Sequence, residues 1–290
     1  MGIYIRCTER DEDSSQYIFS SSIITFTAIN ASMSDSGTDA LCHFFNVDNA
    51  TEWPPNELSG PAISLPDMYK KYRLKDKLYI EFLRMDSKES QRPTKNHVVF
   101  QLPFVESHKL QIEGDEIKLE AARISMDLSI NDAAMDKIDD KCVEIDFLDK
   151  SLGDDYIPGS LNVKMLKYQG QTQMANKFIV FSGLDIPTLG AFVDFIKDHG
   201  IHQMSFLLYM DMYWKGCRDF ITQAFVRLRA ENRISATDEE GHTFKSYITK
   251  VHHQGSGSHE KLVDRGKFIR YVRIYPDEIQ GAYEFEDEEV

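Results

Sequence analysis

Short runs of β-branched and aromatic residues, separated by turn-forming residues, recur along the chain and limit its fold more than any other feature. Examples are YIFSSSIITFTAI at 17–29, KLYIEFLRM at 77–85 and HVVFQLPF at 97–104. β-Branched and aromatic side chains favour strands, whereas glycine, proline and small polar residues between such runs favour turns. The pattern predicts a β-rich α+β fold, in which two β-dominated halves of mainly antiparallel strands carry a few short helices.

Most other apolar runs also predict strands. Two extended pieces are predicted around Gly114 and Asp115, and a further strand is predicted at 204–214. Beyond Arg233, a DEEG turn between β-rich runs predicts a β meander that closes the chain. The remaining predicted strands are 40–47, 161–168, 177–184, 243–253 and 267–276.

Helical patterns are fewer. Apolar residues recur at helical spacing within 187–199, and Gly200 ends that helix. A short basic helix is predicted within 67–75 and a polar helix at 131–141. The run 220–233 fits a helix and a strand, because its apolar positions match both periods. We predict two domains, a β-rich one at 1–112 and a β-rich one at 113–290 with helices near 131–141 and 187–199.

Composition and charge limit the binding partners and the cellular location that we expect for the protein. With 33 Lys and Arg against 47 Asp and Glu, the net charge is -14. Such acidity argues against a surface that attracts nucleic acid or anionic lipid throughout, but it leaves room for a local basic groove. The N-terminal segment lacks the apolar core of a signal peptide, no run has the length of a membrane span, and four scattered cysteines favour reduced thiols. We therefore expect an intracellular protein with no membrane contact.

The most unusual segment is VHHQGSGSHEK at 251–261. Phosphate-binding loops require a strand before the glycines and a helix after them, whereas this segment lies between two predicted strands. For a metal ion, His252 and His253 would point to opposite faces of a strand, so that one of them would share the ion with His259. We interpret the segment as a hairpin loop and predict no metal site, although metal binding within 252–259 stays an open question.

Local motifs for catalysis are absent from the sequence. There is no GxSxG elbow, and no cysteine has the local pattern of a nucleophile. His199 and His202 form an HxxH pair, but the pair falls at a predicted helix end, where a histidine is favoured for structural reasons. We predict a non-enzymatic protein with no cofactor.

Basic residues cluster in two segments against this acidic background, at 70–77 and at 218–233. A helix with one basic face would contact a phosphate backbone without reading the base sequence. A solvated charged face is the alternative. The predicted DNA-contacting residues are Lys70, Lys71, Arg73, Lys75, Arg227 and Arg229.

Four segments combine strands, turns and a helix in a recognisable order. SSSIITFTAINASMSDSGTDALCHFF has a strand, a polar turn and a returning strand, and AISLPDMYKKYRLKDKLYIEFLRM has a short helix and then a strand. HVVFQLPFVESHKLQIE continues as a long strand, and YVRIYPDEIQGAYEFEDEEV has an aromatic strand, a proline and an acidic tail. In this order the segments resemble DNA sliding clamps of the proliferating-cell-nuclear-antigen and checkpoint-clamp type.

The resemblance to sliding clamps implies a ring-forming oligomer that encircles duplex DNA without sequence specificity and recruits partner proteins for replication or repair. It also implies a nuclear location, and partner contacts at Val105, Leu110 and Pro276. Residues 6–16 depart from the family, whose first domain begins with a strand and an amphipathic helix.

The alternative function is that of a viral or cellular structural protein that forms a large β-rich assembly. Exposed edge strands, the acidic tail and the lack of a catalytic motif suit such an assembly equally well. If viral, the protein would lie in the virion or the infected cell. An enzyme that uses His252, His253 or His259 is a third class, and it would require a pocket with perturbed titratable groups.

Overall fold

The structure of the chain, a computed structural model, describes residues 43–46, 65, 67–84, 96–112, 115–128, 156–209, 213–253, 257–268 and 270–283. The predicted strand at 17–29 and the predicted helix at 131–141 lie outside the described residues.

Antiparallel strands make up most of the regular structure. The strands are β1 (His43–Asn46), β2 (Lys77–Arg84), β3 (Asn96–Ile112), β4 (Asp115–Leu128), β5 (Tyr156–Leu166), β6 (Ala175–Ser182), β7 (Met204–Tyr209), β8 (Tyr213–Lys215), β9 (Lys250–His252), β10 (Ser258–Glu260) and β11 (Lys267–Phe268). The main sheet has the order β11–β7–β5–β4–β3–β2–β6, with β1 on β5 and β8 on β7, while β9 and β10 form a separate hairpin. These pairs are antiparallel, so the predicted β-rich α+β class is confirmed.

The helices are short and lie between the strands. They are α1 (Asp67–Lys70), α2 (Leu189–Asp198), α3 (Cys217–Ala230), α4 (Asp238–Ile248) and the 3₁₀ helix η1 (Asp277–Ile279). The predicted helix at 187–199 is confirmed as α2, which begins after Thr188, whose hydroxyl accepts from the Ala191 N–H. The predicted basic helix within 67–75 is limited to α1.

Helix α3 resolves the ambiguity of the run 220–233 in favour of a helix. Its buried residues include Phe220, Ala224 and Leu228, which recur at helical spacing. The ring of Phe220 lies 6.5 Å from that of Phe100 on β3, and the Phe192 ring of α2 lies 5.9 Å from the same Phe100. Both helices therefore pack on one face of the sheet, around Phe100.

The segment predicted as a strand at 243–253 is helical up to Ile248 and forms a strand only at Lys250–His252, β9, and the predicted DEEG turn before it is wrong. The sequence Thr237-Asp238-Glu239-Glu240 forms a capping box, in which the Thr237 hydroxyl accepts from the Glu240 N–H and the Glu240 carboxylate accepts from the Thr237 N–H. This arrangement satisfies two backbone donors that a helix start leaves unpaired, so the segment continues as α4. Phe244 and Ile248 then bury one face of the helix.

Two further predicted strands differ from the observed ones. The run 204–214 contains two paired strands, β7 and β8, in which Leu207 lies opposite Lys215. The run 267–276 contributes only β11 among the described residues, and Lys267 pairs there with Ser205 of β7. In the first run, apolar composition alone does not mark the reversal of direction between the antiparallel strands β7 and β8.

The predicted domain boundary between residues 112 and 113 falls at the turn of the β3–β4 hairpin. Ile112 pairs with Asp115, and the pairing continues inward along both strands. Buried residues from both sides of the boundary, such as Phe100 and Ile124, belong to one hydrophobic cluster. β3 and β4 thus contribute to the same core.

Among the described residues, none of the helices has the length and apolar character that a membrane crossing requires.

We expect Phe100→Ala to lower the free energy of unfolding by about 3–5 kcal/mol, because the fully buried ring joins the sheet to α2 and α3. Urea denaturation followed by circular dichroism measures the change. As a control, Val272→Ala removes an exposed side chain and should change the value by less than about 0.5 kcal/mol. Equal effects of the two substitutions would contradict this description of the core.

Candidate active site

Three chemically reactive side chains from distant parts of the chain meet at one end of the sheet. His97 lies near the start of β3, Asp127 lies near the end of β4, and Cys217 is the first residue of α3. The β3–β4 register, in which Phe100 pairs with Ile124 and continues outward, sets His97 opposite Asp127. The approach of α3 to β3 adds the thiol to this pair.

His97 and Asp127 are in direct contact. Nε2 of His97 lies 3.2 Å from Oδ1 of Asp127, within the range of a hydrogen bond or ion pair. The two side chains are 22% and 37% exposed, so solvent reaches both of them. Because Asp127 occupies Nε2, Nδ1 is the ring nitrogen that remains for a second partner.

The second partner of His97 is the thiol of Cys217. Its interaction with the imidazole and with the backbone of Val98 lowers the pKa of the thiol, and the thiol in turn raises the pKa of His97. Cys217 is a free cysteine of intermediate exposure. It also packs against the hydrophobic core, so the residue is covered in part.

A tight backbone turn before α3 presents this thiol. Gly216, which precedes the helix, has a φ of +139°, a backbone conformation that residues other than glycine rarely adopt. A Cβ at this position would lie only 3.0 Å from Cε of Met204. Because Gly216 has no side chain, it makes no capping hydrogen bond to the first backbone N–H groups of α3. The positive end of the helix dipole lies there as well, and it favours a thiolate at Cys217.

The three groups shift each other's pKa toward the charged forms. Burial lowers the pKa of His97, but the Asp127 carboxylate and the Cys217 thiolate outweigh it and raise the pKa to about 10. Burial raises the pKa of Asp127, but His97 outweighs it and lowers the pKa to about 2. Burial also raises the pKa of Cys217, whereas His97, Arg218 and the Val98 backbone lower it below the usual value. These shifts favour the charged pair, a Cys217 thiolate and a His97 imidazolium beside the ionised Asp127 carboxylate, over the neutral thiol and imidazole.

This arrangement has the parts that nucleophilic catalysis requires. A thiolate is the nucleophilic form of cysteine, and a histidine beside it can transfer protons. A carboxylate on the other ring nitrogen fixes the tautomer and the orientation of the imidazole. Backbone N–H groups at the start of α3 can donate to a developing oxyanion.

The predicted DNA-contacting residues lie in other places. Nζ of Lys70 lies 3.0 Å from Asp67, and Nζ of Lys75 donates to Gln169 over 2.6 Å, while Lys71 and Arg73 are exposed. On α3, Arg227 pairs with Glu231 at 2.7 Å, and Arg229, only 12% exposed, contacts Asp238 and Glu278. Contact of these six residues with DNA stays a prediction.

The predicted partner-binding residues do not form one patch of uniform exposure. Val105 on β3 is 48% exposed, whereas Leu110, further along the same strand, packs against the core. Pro276 directly precedes η1. Their role in partner binding also stays a prediction.

The histidine-containing segment is the β9–β10 hairpin. His252 is buried and its ring contacts the Tyr247 carbonyl, whereas Nε2 of His253 lies 2.9 Å from Nδ1 of His259. His253 follows β9 directly and meets His259 of β10, so only one of the two adjacent histidines contacts His259. Within the described part of the chain, no group of three or more His, Cys, Asp and Glu side chains that could hold a metal ion occurs.

His199 has the structural role that the sequence predicts for it. Its Nδ1 lies 2.8 Å from the Phe195 carbonyl at the end of α2, and its Nε2 lies 2.6 Å from Glu231. Its partner in the HxxH pair, His202, is buried.

No family model, no curated protein and no solved structure matches this chain. The resemblance to sliding clamps therefore stays a prediction.

His97, Asp127 and Cys217 are not predicted as site residues from the sequence. Each belongs to a segment with an ordinary local pattern, because His97 begins a predicted strand and Cys217 follows a glycine before an ambiguous apolar run. The usable signal was Gly216-Cys217 at the start of a helix, which is where a low thiol pKa is favoured. That signal becomes specific only when the run 220–233 is known to be helical.

We expect Cys217 to react with iodoacetamide faster than an ordinary thiol at neutral pH. Because its pKa is lowered, the alkylation rate should fall with pH at a lower midpoint than the roughly 8.5 of a free thiol. In His97→Ala the rate should fall with pH as for a free thiol, and it should be about tenfold lower at neutral pH, since the loss of thiolate outweighs the gain in intrinsic nucleophilicity.

Mass spectrometry of the peptide that contains Cys217 distinguishes it from Cys7, Cys42 and Cys142. His242→Ala, at an exposed position on α4, is the matched histidine control and should leave the profile unchanged. A wild-type Cys217 that titrates like a free thiol would contradict the thiolate–imidazolium pair.

Proposed function

We propose that the protein is a cysteine-dependent acyl-transfer enzyme that cleaves an amide or ester bond. In this proposal Cys217 is the nucleophile, His97 is the general acid and base, and Asp127 orients His97. One observation carries the proposal: the thiol of Cys217, at the start of a helix, interacts with a histidine whose Nε2 lies 3.2 Å from a carboxylate on the neighbouring strand.

The first half of the reaction forms an acyl-enzyme. The Cys217 thiolate attacks the carbonyl carbon of the substrate, a C–S bond forms, and the π electrons move to the oxygen. The oxyanion accepts hydrogen bonds from backbone N–H groups at the start of α3. The oxygen lone pair then restores the carbonyl, the bond to the leaving nitrogen or oxygen breaks, and the His97 imidazolium gives its proton to the leaving group.

The second half returns the enzyme to its starting form. Neutral His97 takes a proton from water, and the water oxygen attacks the carbonyl carbon of the thioester. When this second tetrahedral intermediate collapses, the C–S bond breaks and its electrons stay on sulfur. The acid product leaves, and the thiolate again faces an imidazolium.

Asp127 contributes through position and charge. Its contact with Nε2 orients the imidazole and leaves Nδ1 for the thiol, and its negative charge stabilises the imidazolium. Asp127 stays ionised during the cycle, because its lowered pKa of about 2 lies far below neutral pH.

The surroundings of Cys217 support a reactive role over a purely structural one. A structural cysteine is typically buried among apolar groups, where burial keeps it as the neutral thiol. Cys217 is instead partly exposed, lies at a helix start and has His97 and Arg218 as positive neighbours. Low pKa, positive neighbours and exposure are together typical of reactive cysteines.

The activated ester p-nitrophenyl acetate tests the proposal without knowledge of the natural substrate. We expect wild-type protein to release p-nitrophenol, to carry an acetyl group on Cys217 and to lose that group to water. Cys217→Ala should abolish the acetyl-enzyme, and His97→Ala should slow its formation about 10²–10⁴-fold, because the proton-transferring group is absent.

Cys142→Ala is the matched control and should react like wild type. Acetylation of Cys217 no faster than that of Cys142, or turnover that persists in Cys217→Ala, would overturn the proposed function.

A further inference from the structure

Asp127 has two neutral hydrogen-bond donors on the side away from His97. The Ser125 hydroxyl and the Asn162 side-chain amide both donate to Oδ2 of Asp127, each over 2.7 Å. Ser125 is 7% exposed and Asn162 is 4% exposed, so water has little access to these two donors. His97 contacts the other carboxylate oxygen, Oδ1.

The sheet fixes where these donors lie. Ser125 and Asp127 are on the same face of β4, and Asn162 is directly opposite Ser125 on β5. The strand pairing thus brings a third strand, β5, into contact with a pair that β3 and β4 already form. Among the hydrogen bonds of the described residues, the Asn162 side chain donates to Asp127, so its link to His97 is indirect.

We infer that Asn162, together with Ser125, is a positioning residue of the cysteine site, because it holds Oδ2 of Asp127 and so directs Oδ1 to Nε2 of His97. This inference rests on the proposed acyl-transfer function. Rotation of the carboxylate away from His97 would break both short hydrogen bonds at Oδ2. Two strands therefore determine the orientation of the carboxylate, and through it the orientation of the imidazole toward the thiol.

The hydrogen bonds from Ser125 and Asn162 affect the pKa of Cys217 through His97. Hydrogen bonds from Ser125 and Asn162 help to keep Asp127 ionised, and ionised Asp127 keeps His97 protonated. Protonated His97 in turn stabilises the thiolate of Cys217. Loss of the Asn162 donor should therefore weaken this stabilisation without removal of any group that contacts the substrate.

The other charge near the thiol comes from α3 and is independent of Asn162. Arg218 adds a positive charge beside Cys217, and it is held by Asp264 at 3.7 Å and by backbone carbonyls, including that of Leu262. The groups that determine the thiol's charge state are thus Asp127 from β4, His97 from β3 and Arg218 from α3. An Asn162 substitution leaves Arg218 and its contacts unchanged.

The test is the pH profile of Cys217 alkylation by iodoacetamide in Asn162→Leu, which keeps the side-chain size and removes the donor. We expect the midpoint of the profile to rise by about one pH unit toward that of a free thiol. Ser125→Ala should shift the midpoint in the same direction, and it decides the question if Asn162→Leu does not fold. Asn176→Leu is the matched control, because Asn176 donates to the His252 carbonyl and not to Asp127, and its profile should equal that of wild type.

The outcomes separate this inference from the proposed function. If wild-type Cys217 has a low midpoint and the folded Asn162 and Ser125 variants keep it, the positioning role is wrong while the cysteine site stands. If wild-type Cys217 itself titrates like a free thiol, the proposed function fails first. A loss of thermal stability with no shift of the midpoint would mean that the two donors serve the fold alone, which also overturns the inference.

Discussion

The packing of α3 on β3 is the contact on which both the core and the candidate site depend. Near the middle of the strand, Phe220 of α3 meets Phe100, which also contacts Phe192 of α2. One turn earlier in the helix, Cys217 meets His97 and the backbone of Val98 at the start of the same strand. Burial of the aromatic rings therefore supplies the stability that holds a charged, partly exposed cluster together.

The first turn of α3 is anchored a second time by the C-terminal part of the described chain. Asp219, fully buried, accepts from the Gly266 N–H and from Arg273, each over 2.8 Å, and from the Tyr283 hydroxyl over 3.0 Å. A buried carboxylate with several donors fixes a backbone position closely, since each lost donor costs free energy. Because Asp219 lies two residues after Cys217, this network restrains the position of the thiol relative to the sheet.

The elements with regular local patterns could be predicted from the sequence, whereas the site could not. The strands β2 and β3 and helix α2 follow from apolar periodicity, and the Gly114-Asp115 turn predicts the β3–β4 hairpin. The register at that turn would set His97 opposite a residue beyond Asp127, but an irregularity between Pro103 and His108 shifts the register and brings Asp127 opposite His97. Neither that shift nor the packing of α3 can be predicted from the local sequence. The site of His97, Asp127 and Cys217 depends on both, so it could not be predicted either.

The charge state of His97 tests the central claim most directly, and ¹⁵N NMR of the histidine rings measures it across a pH series. With Asp127 on one ring nitrogen and the Cys217 thiolate on the other, His97 should stay protonated well above neutral pH, because its pKa is raised to about 10. In Cys217→Ala and in Asp127→Asn its pKa should fall. A wild-type His97 that loses its proton near pH 6.5, the ordinary value for histidine, would contradict the account.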